Sequence, residues 1–325
     1  MRALILSDIH ANLEALTAVI DAAPEYDCVW NLGDVVGYGA NPNEVIDRVR
    51  QMGDIFVRGN HDRACSGLTD AEGFNPIAGR AARWTRAVLT EEHTEWLRQM
   101  RHGPIYPEGS GPEGYGSVGY GSAGSGPESY GPKGDEPEGD NPAGREPNRH
   151  ASAILSPEAR SLEIHAAEGR SAAEESSALN RPGRDQISCS HGSLVNEDQY
   201  LLTARDAAGP LGESACALNF FGHTHVQGGF AKNGREWLRI TPQYSSRETL
   251  DCYKLVLKPG YRYMLNPGSV GQPRDGNWRA AFALYDDASR TVFFYRVPYD
   301  VRLAQMRIVA AGLPDRLATR LREGR

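Results

Sequence analysis

The sequence lacks long apolar runs, paired-cysteine motifs and an excess of basic residues. None of its apolar runs approaches the roughly 18 residues that a membrane-spanning helix needs, and a carboxylate at Asp8 comes too early for a signal-peptide core. Its five cysteines form no C-x-x-C pair, which argues against a disulfide framework or a zinc knuckle. A net charge of -7 argues against nucleic-acid binding. We therefore expect a cytoplasmic protein with reduced thiols that binds neither membranes nor nucleic acids.

Composition divides the 325 residues into four regions. Residues 1–105 alternate strand-like and helix-like stretches, which predicts a parallel sheet. Residues 106–185 are rich in Gly, Pro, Ser and Glu, and the intervals between their prolines are multiples of five residues. We therefore expect a disordered insertion. Many consecutive strands in 186–299 predict a second, mainly antiparallel sheet, and residues 300–325 have helical periodicity. We expect the first and third regions to form one interrupted domain, followed by a helical tail.

Histidines follow several of the strand-like stretches, each with Asp, Asn or Gly nearby. Ligands of α/β proteins bind at the carboxyl ends of strands. Alternation along an extended chain places Asp8 and His10 on one side, and the same spacing recurs in His223 and His225. Taken singly, each of these clusters is more often a turn or a capped loop than a site. Their joint occurrence, each after an apolar stretch, favours a metal centre.

Five short motifs occur in a fixed order: Asp8-Ile9-His10, Gly33-Asp34, Gly59-Asn60-His61-Asp62, His191-Gly192 and Gly222-His223-Thr224-His225. This set resembles the calcineurin-like metallophosphoesterase superfamily, over residues 1–105 and 186–300. The resemblance implies an α/β fold in which a four-layer sandwich of two mixed β-sheets is flanked by helices. It also implies that metal ions lie at the tops of the sheets.

The resemblance implies two sets of metal ligands joined by a bridging carboxylate: Asp8, His10 and His225 on one metal, Asn60, His191 and His223 on the other, and Asp34 between them. Two divalent metal ions would share a water that loses a proton and attacks phosphorus. His61 would face the substrate and, once protonated, stabilise the developing charge or protonate the leaving oxygen. Nitrogen and oxygen ligands without thiolate suit manganese, iron, zinc or nickel, and magnesium is a further candidate. Manganese is expected on family grounds.

One motif distinguishes branches of the superfamily. Phosphoprotein phosphatases carry G-D-x-V-D-R-G, whereas this chain has Gly37 in place of the Asp that orients the catalytic histidine and Tyr38 in place of the phosphate-binding Arg. Residues 8–12, 37–42 and 266–274 instead resemble a small bacterial and archaeal branch. Its members act as phosphodiesterases, and some resemble diadenosine tetraphosphate hydrolases.

Four further residues are candidate substrate contacts: Asn12, Arg63, Ser269 and Arg274. Asn12 is equally well explained as a helix cap, and the Asn266–Ser269 stretch as a tight turn. The alternative for that stretch is a loop whose amides, with Arg274, contact phosphate.

The sequence thus favours a dinuclear-metal phosphoesterase, most of all a phosphodiesterase or a nucleotide pyrophosphohydrolase. Its partner would be a phosphate-ester small molecule or a nucleotide. The alternative is a phosphomonoesterase that acts on small molecules or phosphoproteins. A non-catalytic scaffold is a third hypothesis, and the intact ligand positions argue against it.

Overall fold

The computed structural model describes residues 1–107 and 186–325. The strands are β1 (Arg2–Leu6), β2 (Cys28–Asn31), β3 (Ile55–Phe56), β4 (Ile187–Cys189), β5 (Leu218–Phe220), β6 (Gly228–Asn233), β7 (Glu236–Ile240), β8 (Asp251–Val256), β9 (Arg262–Asn266), β10 (Ala280–Asp286) and β11 (Thr291–Val297). The helices are α1 (Leu13–Ala22), α2 (Pro42–Met52), α3 (Asn60–Cys65), α4 (Pro76–Val88), α5 (Glu91–Gln99), α6 (Ala204–Glu213), α7 (Val301–Ala310) and α8 (Asp315–Glu323). The predicted α/β sandwich of two mixed sheets flanked by helices is confirmed.

The first sheet has the order β3-β2-β1-β10-β11-β8. Its β1, β2 and β3 strands are parallel, as predicted, whereas β10, β11 and β8 are antiparallel. The expectation that strands after residue 186 build a sheet of their own is therefore wrong, because three of them complete the first sheet. The pairing of β1 with β10 joins residues that are far apart in the sequence, such as Leu4 and Leu284. No local sequence pattern predicts it.

The second sheet has the order β4-β5-β9-β6-β7 and is parallel in its first half only. The expectation of a mainly antiparallel sheet is thus also wrong. The β6–β7 hairpin was not predicted, although Asn233-Gly234 is a strong turn signal and Gly234 has a positive φ of 56°. Gly228 and Gly229 at the start of β6 obscure its strand character.

Three apolar cores hold the layers together. Alternation along β1 sends Ile5 into the core between the sheets, where it joins Trp30 and Phe220. The intervening Leu4 packs into a second core beneath α1, α2, α7 and α8, and a third core lies beneath α6 around Leu211. The run of apolar residues in β1 is therefore covered on both faces, as its sequence predicts. No described helix is both long and apolar enough to span a bilayer.

The predicted disordered insertion lies outside the described residues, apart from its first two positions. On either side of it, Ile105 and Cys189 exchange two main-chain hydrogen bonds of 2.8 Å each. We infer that the segments before and after it form one domain, since β1 and β10 are also neighbours in the first sheet. The tail contains α7 and α8, which pack on each other and on the layer of α1.

Candidate metal centre

The predicted metal ligands lie at the carboxyl ends of strands in both sheets, and all are buried. In the first sheet Asp8 and His10 follow β1, Asp34 follows β2 and Asn60 follows β3, and in the second sheet His191 follows β4 while His223 and His225 follow β5. Parallel strands bring these ends to one edge of each sheet. The structure therefore gathers all seven residues into one place.

The first group of donor atoms belongs to Asp8, His10, Asp34 and His225. The Nε2 atom of His10 lies 3.1 Å from Nε2 of His225 and 3.6 Å from Oδ2 of Asp34. The Nε2 atom of His225 lies 3.2 Å from Oδ1 of Asp8. Donor atoms of the group all lie within 4.8 Å of one another, a separation that a single cation can span.

The second group shares Asp34 with the first and adds His191 and His223. Nε2 of His191 lies 3.4 Å from Oδ2 of Asp34 and 3.2 Å from Nδ1 of His223. Oδ1 of Asn60 lies 3.2 Å from the same His191 nitrogen. Because Oδ2 of Asp34 faces His10 on one side and His191 on the other, this carboxylate stands between the two groups.

Each of the four histidines in these groups turns its second ring nitrogen to a main-chain carbonyl. Nδ1 of His10 faces Val36 O at 3.1 Å, Nδ1 of His191 faces Leu32 O at 2.8 Å, Nδ1 of His225 faces Gln272 O at 2.6 Å, and Nε2 of His223 faces Asp198 O at 3.2 Å. Carbonyl oxygens only accept, so these nitrogens carry the protons. The other nitrogen of each ring points inward, as in metal sites of known proteins, and becomes a ligand atom when it carries no proton.

The backbone is strained at most of the same residues. Positive φ angles of 50° to 63° occur at five of the seven: Asp8, His10, Asp34, His223 and His225. This left-handed region costs a non-glycine residue about 1–2 kcal/mol. Such strain concentrates at functional sites, where the surrounding structure imposes it.

Charges in the cluster are strongly coupled. Burial alone would raise the pKa of Asp34, but the facing imidazoles of His191 and His61 hold it well below its ordinary value. Burial lowers the pKa of His10, and burial followed by the charge of His191 lowers that of His223 to about 3. For His191, Asp34 outweighs burial and raises the pKa to about 10. The cluster thus holds ionised carboxylates among imidazoles that burial keeps mostly neutral.

These donor sets fit two divalent cations. The inward nitrogens of His10 and His225 approach to 3.1 Å, and two lone pairs at that distance repel unless a proton or a cation lies between them. Imidazole and carboxylate donors without thiolate suit divalent manganese, iron, zinc or nickel, and magnesium less well. The centre is thus a possible dinuclear metal site whose two halves share Asp34.

His61 lies beside the groups and belongs to neither. Its main-chain N–H donates to Oδ1 of Asp34 at 2.8 Å, and its ring packs against Tyr38 and Phe74 with centroids 4.3 and 4.6 Å away. Its Nδ1 atom is buried and meets no hydrogen-bond partner in the described residues. A Cβ on Gly37, where φ is 91°, would lie 2.5 Å from that nitrogen. Aromatic packing therefore orients this ring. The motif has Gly37 where phosphoprotein phosphatases have an orienting Asp, so a carboxylate is not expected in that role.

Burial lowers the pKa of the His61 ring to about 4, against the opposing pull of Asp34. The ring is therefore neutral near pH 7 in the absence of substrate. A phosphate anion placed against it would raise its pKa again and favour the protonated form.

The candidate substrate contacts differ in position. Asn12 caps α1 through Oδ1 and donates from Nδ2 to Gly271 O at 2.8 Å, and it is buried. The Ser269 hydroxyl is buried and donates to Asp8 O at 2.7 Å. Arg63 pairs with Glu197 and Asp198. These contacts give Asn12, Arg63 and Ser269 partners within the protein, although Nε of Arg63 is buried without one in the described residues.

Arg274 is the candidate whose charge acts on the centre, where after burial it lowers the pKa values of His61 and His225. Its main-chain N–H donates to His225 O at 3.1 Å, which anchors the residue beside the first group. Its guanidinium carbon lies 5.7 Å from the centre of the Tyr38 ring, and its Nη2 donates to Gln272 Oε1 at 3.0 Å. Its Nε is buried without a partner in the part of the chain that is described.

Asp62 is a residue of the centre to which the sequence analysis gave no role. Its Oδ2 accepts from the main-chain N–H groups of Asp34 at 2.8 Å and Gly59 at 3.0 Å, and its Oδ1 accepts from Val36 at 3.1 Å. Burial and the neighbouring Asp34 raise its pKa to about 7, while these donors oppose the rise. Asp62 is the last residue of the G-N-H-D motif, and this position was the sequence feature that could have indicated its role. It holds the loop that presents Asp34.

Replacing Asp62 with Asn is expected to lower the free energy of unfolding by about 3 kcal/mol, because an amide nitrogen would face N–H donors and leave them unpaired. Urea denaturation of the purified variant measures this loss. Asp47→Asn is the matched control, since that carboxylate is 59% exposed and its contact is with the ring of His93, far from the loop of Asp34 in sequence. A loss below about 1 kcal/mol, the scale of an ordinary surface substitution, would show that Asp62 does not hold this loop.

Comparisons with known proteins agree with this geometry. The sequence model of a family described as calcineurin-like phosphoesterase matches residues 1–122. A metallophosphoesterase of known structure from Sphaerobacter thermophilus is 30% identical, with a TM-score of 0.65 over 100% of this chain and 99% of that chain.

Two relatives known from their sequences extend the comparison. An uncharacterized protein of Methanocaldococcus jannaschii is 28% identical over 327 residues, which cover 99% of this chain and 97% of the relative. A symmetrical bis(5'-nucleosyl)-tetraphosphatase of Erwinia tasmaniensis is 31% identical over 104 residues. That match covers 30% of this chain and only 38% of the relative's length.

Proposed function

The chain belongs to the calcineurin-like phosphoesterases, hydrolases of phosphoester bonds, and from this premise we propose that it is a phosphodiesterase or nucleotide pyrophosphohydrolase with two metals. The observation that carries the proposal is the pair of donor groups that share Asp34. We propose Asp8, His10 and His225 as ligands of one cation, Asn60, His191 and His223 as ligands of the other, and Asp34 as the bridge.

When bound, two divalent cations supply Lewis-acid activation of water and neutralise phosphoryl oxygens. The protein's part is to hold the donors in place before substrate arrives. Main-chain carbonyls such as Val36 O and Gln272 O keep the protons of His10 and His225 on their outward nitrogens, so that the inward lone pairs stay free.

His61 and Arg274 are proposed to act on the substrate. The His61 ring lies at the edge of the first group, 4.9 Å from the ring of His10. There it can hydrogen-bond the phosphate and, once the anion has raised its pKa, donate a proton to the leaving oxygen. Arg274 can direct its unpartnered Nε toward a phosphate oxygen, and a guanidinium suits that role through its several donors.

The surroundings of His61 favour a diester or a nucleotide over a phosphoprotein. Gly37 and Tyr38 occupy the positions of the Asp and Arg of phosphoprotein phosphatases, and the Tyr38 ring lies 4.6 Å from that of His10. The partial similarity to symmetrical dinucleoside tetraphosphatases, which covers 104 residues, points the same way. Manganese as the working metal and the cytoplasm as the location remain parts of this proposal.

A manganese-supplemented screen of the purified protein tests the proposal. The substrates are bis(p-nitrophenyl) phosphate, p-nitrophenyl phosphate, diadenosine tetraphosphate and a set of phosphopeptides. We expect kcat/KM for a diester or the dinucleotide to exceed that for the monoesters, with all turnover lost on chelation and restored by metal. Preference for the monoesters would favour the phosphomonoesterase alternative. If the protein binds no metal and hydrolyses none of these substrates, the result would favour the scaffold hypothesis.

A further inference from the structure

The loop between β4 and α6 folds back toward the second donor group. It starts just after β4, at His191, which is one of the proposed ligands. A Cβ on Gly192 would lie 2.4 Å from Glu197 O, so a glycine after His191 is what lets the loop approach itself this closely. Residues 193–200 of this loop therefore lie beside the centre.

Two residues of the 193–200 loop contact the ring of His223, another proposed ligand of the second cation. The main-chain oxygen of Asp198 lies 3.2 Å from Nε2 of His223, and the Tyr200 ring packs against the His223 ring with centroids 4.0 Å apart. The carbonyl keeps the proton on Nε2, since an oxygen of this kind only accepts, and the aromatic ring restricts the plane of the imidazole. Nδ1 is thereby directed into the donor group, where it lies 3.2 Å from Nε2 of His191.

Arg63 ties this loop to α3. Its Nη2 donates to the two carboxylate oxygens of Asp198 at 2.9 and 2.8 Å, and its Nη1 donates to Glu197. Asp198 joins the two sets of contacts, because its carboxylate binds Arg63 while its carbonyl faces His223. Since α3 begins at Asn60, this ion pair connects the helix that carries one proposed ligand to the loop that orients another.

The position of Asp198 depends on this ion pair. Its side chain is 50% exposed, and the residue lies outside any strand or helix, so core packing does not hold its carbonyl in place. By contrast, two other carbonyls that orient proposed ligands belong to the fully buried residues Leu32 and Val36. Exposed irregular segments are the parts of a fold that move most readily unless a specific contact restrains them.

We propose that Arg63 is a positioning residue of the metal centre: through Asp198 it holds the His223 imidazole in the orientation that a cation in the second group requires. Its terminal nitrogens are occupied by two carboxylates, so it acts on the centre through the loop and not as a contact of the substrate. Outer partners of metal-binding histidines contribute about ten- to hundredfold to metal affinity. The inference rests on the proposed function for the ligand role of His223.

Arg63→Gln, Arg63→Lys and Asp198→Asn test the proposal in the full chain. The control is Arg50→Gln, which removes an arginine that pairs with a carboxylate elsewhere, Glu92 of α5. The first measurement is calorimetric titration of the metal-free protein with manganese. We expect Arg63→Gln to weaken one of two binding steps about tenfold or more and to leave the other step unchanged.

The other variants locate the effect in the contact between Arg63 and Asp198. Asp198→Asn keeps the carbonyl and removes the charge, and it should weaken the same step. The double variant should lose less binding free energy than the two single variants together, since both changes break one contact. Arg63→Lys should retain part of the affinity, because an ammonium keeps the charge but offers a different donor geometry. Arg50→Gln should match the wild type.

The second measurement needs no metal. It follows by NMR the exchange with water of the Nε2–H proton of His223 at a fixed pH, with the signal identified by its absence from His223→Gln. Exchange should be about tenfold faster in Arg63→Gln than in the wild type or Arg50→Gln, the scale of one weakened hydrogen bond.

Equal weakening of both binding steps, or an unchanged exchange rate in Arg63→Gln, would overturn the inference. Unchanged manganese affinity at both steps would overturn it as well. If the wild type binds no manganese, the proposed function fails, and the exchange rate alone then decides whether Arg63 orients His223.

Discussion

Asp34→Asn is expected to reduce turnover about a thousandfold or more, because metal-ion activation supplies several kcal/mol of transition-state stabilisation. The carboxylate lies 3.6 Å from His10 Nε2 and 3.4 Å from His191 Nε2, so it is the residue common to both donor groups. A neutral amide of the same size keeps the packing and removes the charge that the two cations would share. Metal analysis of the purified variant, alongside steady-state kinetics, separates loss of metal from loss of turnover with the metal still bound.

Asp47→Asn serves as its control, with the same change of charge at a surface carboxylate. The control should keep the metal content and kcat of the wild type. An Asp34→Asn protein that retains two equivalents of metal and more than a tenth of the wild-type kcat would show that Asp34 is not the bridge.

His61→Gln is expected to slow hydrolysis of a poor leaving group about a thousandfold, the middle of the range for general acid catalysis. Metal content should not change, since His61 lies beside the donor groups and outside both. Hydrolysis of nitrophenyl esters should slow by a smaller factor, because nitrophenolate departs without a proton. The measurement is therefore the ratio of kcat values on an alkyl and a nitrophenyl substrate, with metal content determined on the same preparation.

The control for His61 is His102→Gln, an exposed histidine whose Nδ1 lies 2.9 Å from Gly103 O. This variant should match the wild type on both substrates. If His61→Gln lowers the two kcat values by the same factor, His61 positions the phosphate and transfers no proton to the leaving oxygen.

The convergence of the donor residues was predictable, since each motif follows an apolar strand and parallel strands end at one edge. The carbonyl partners of the outward histidine nitrogens were not predictable. Carbonyls such as Leu32 O and Gln272 O belong to loops that only tertiary packing brings near the histidines. The division of strands between the sheets was missed for the same reason. It depends on β10 pairing with β1, which alternation within either strand does not encode.

Local sequence left three other features open. Asn12 was left between a cap and a substrate contact, and its bond to Ala15 N shows that it caps α1. Arg63 stands next to the G-N-H-D motif, but its acidic partners follow more than a hundred residues later. The periodicity of the tail predicts helices, although no sequence pattern indicates where α7 and α8 dock.

Each donor group draws on both layers of the sandwich: His225 meets Asp8 and His10 across the interface, and His191 and His223 meet Asp34. Cations bound there would act as two cross-links that fasten one sheet to the other. A sliding motion between the layers would pull both groups apart at once. Rigidity of the sandwich and integrity of the reaction centre are therefore a single property of this molecule.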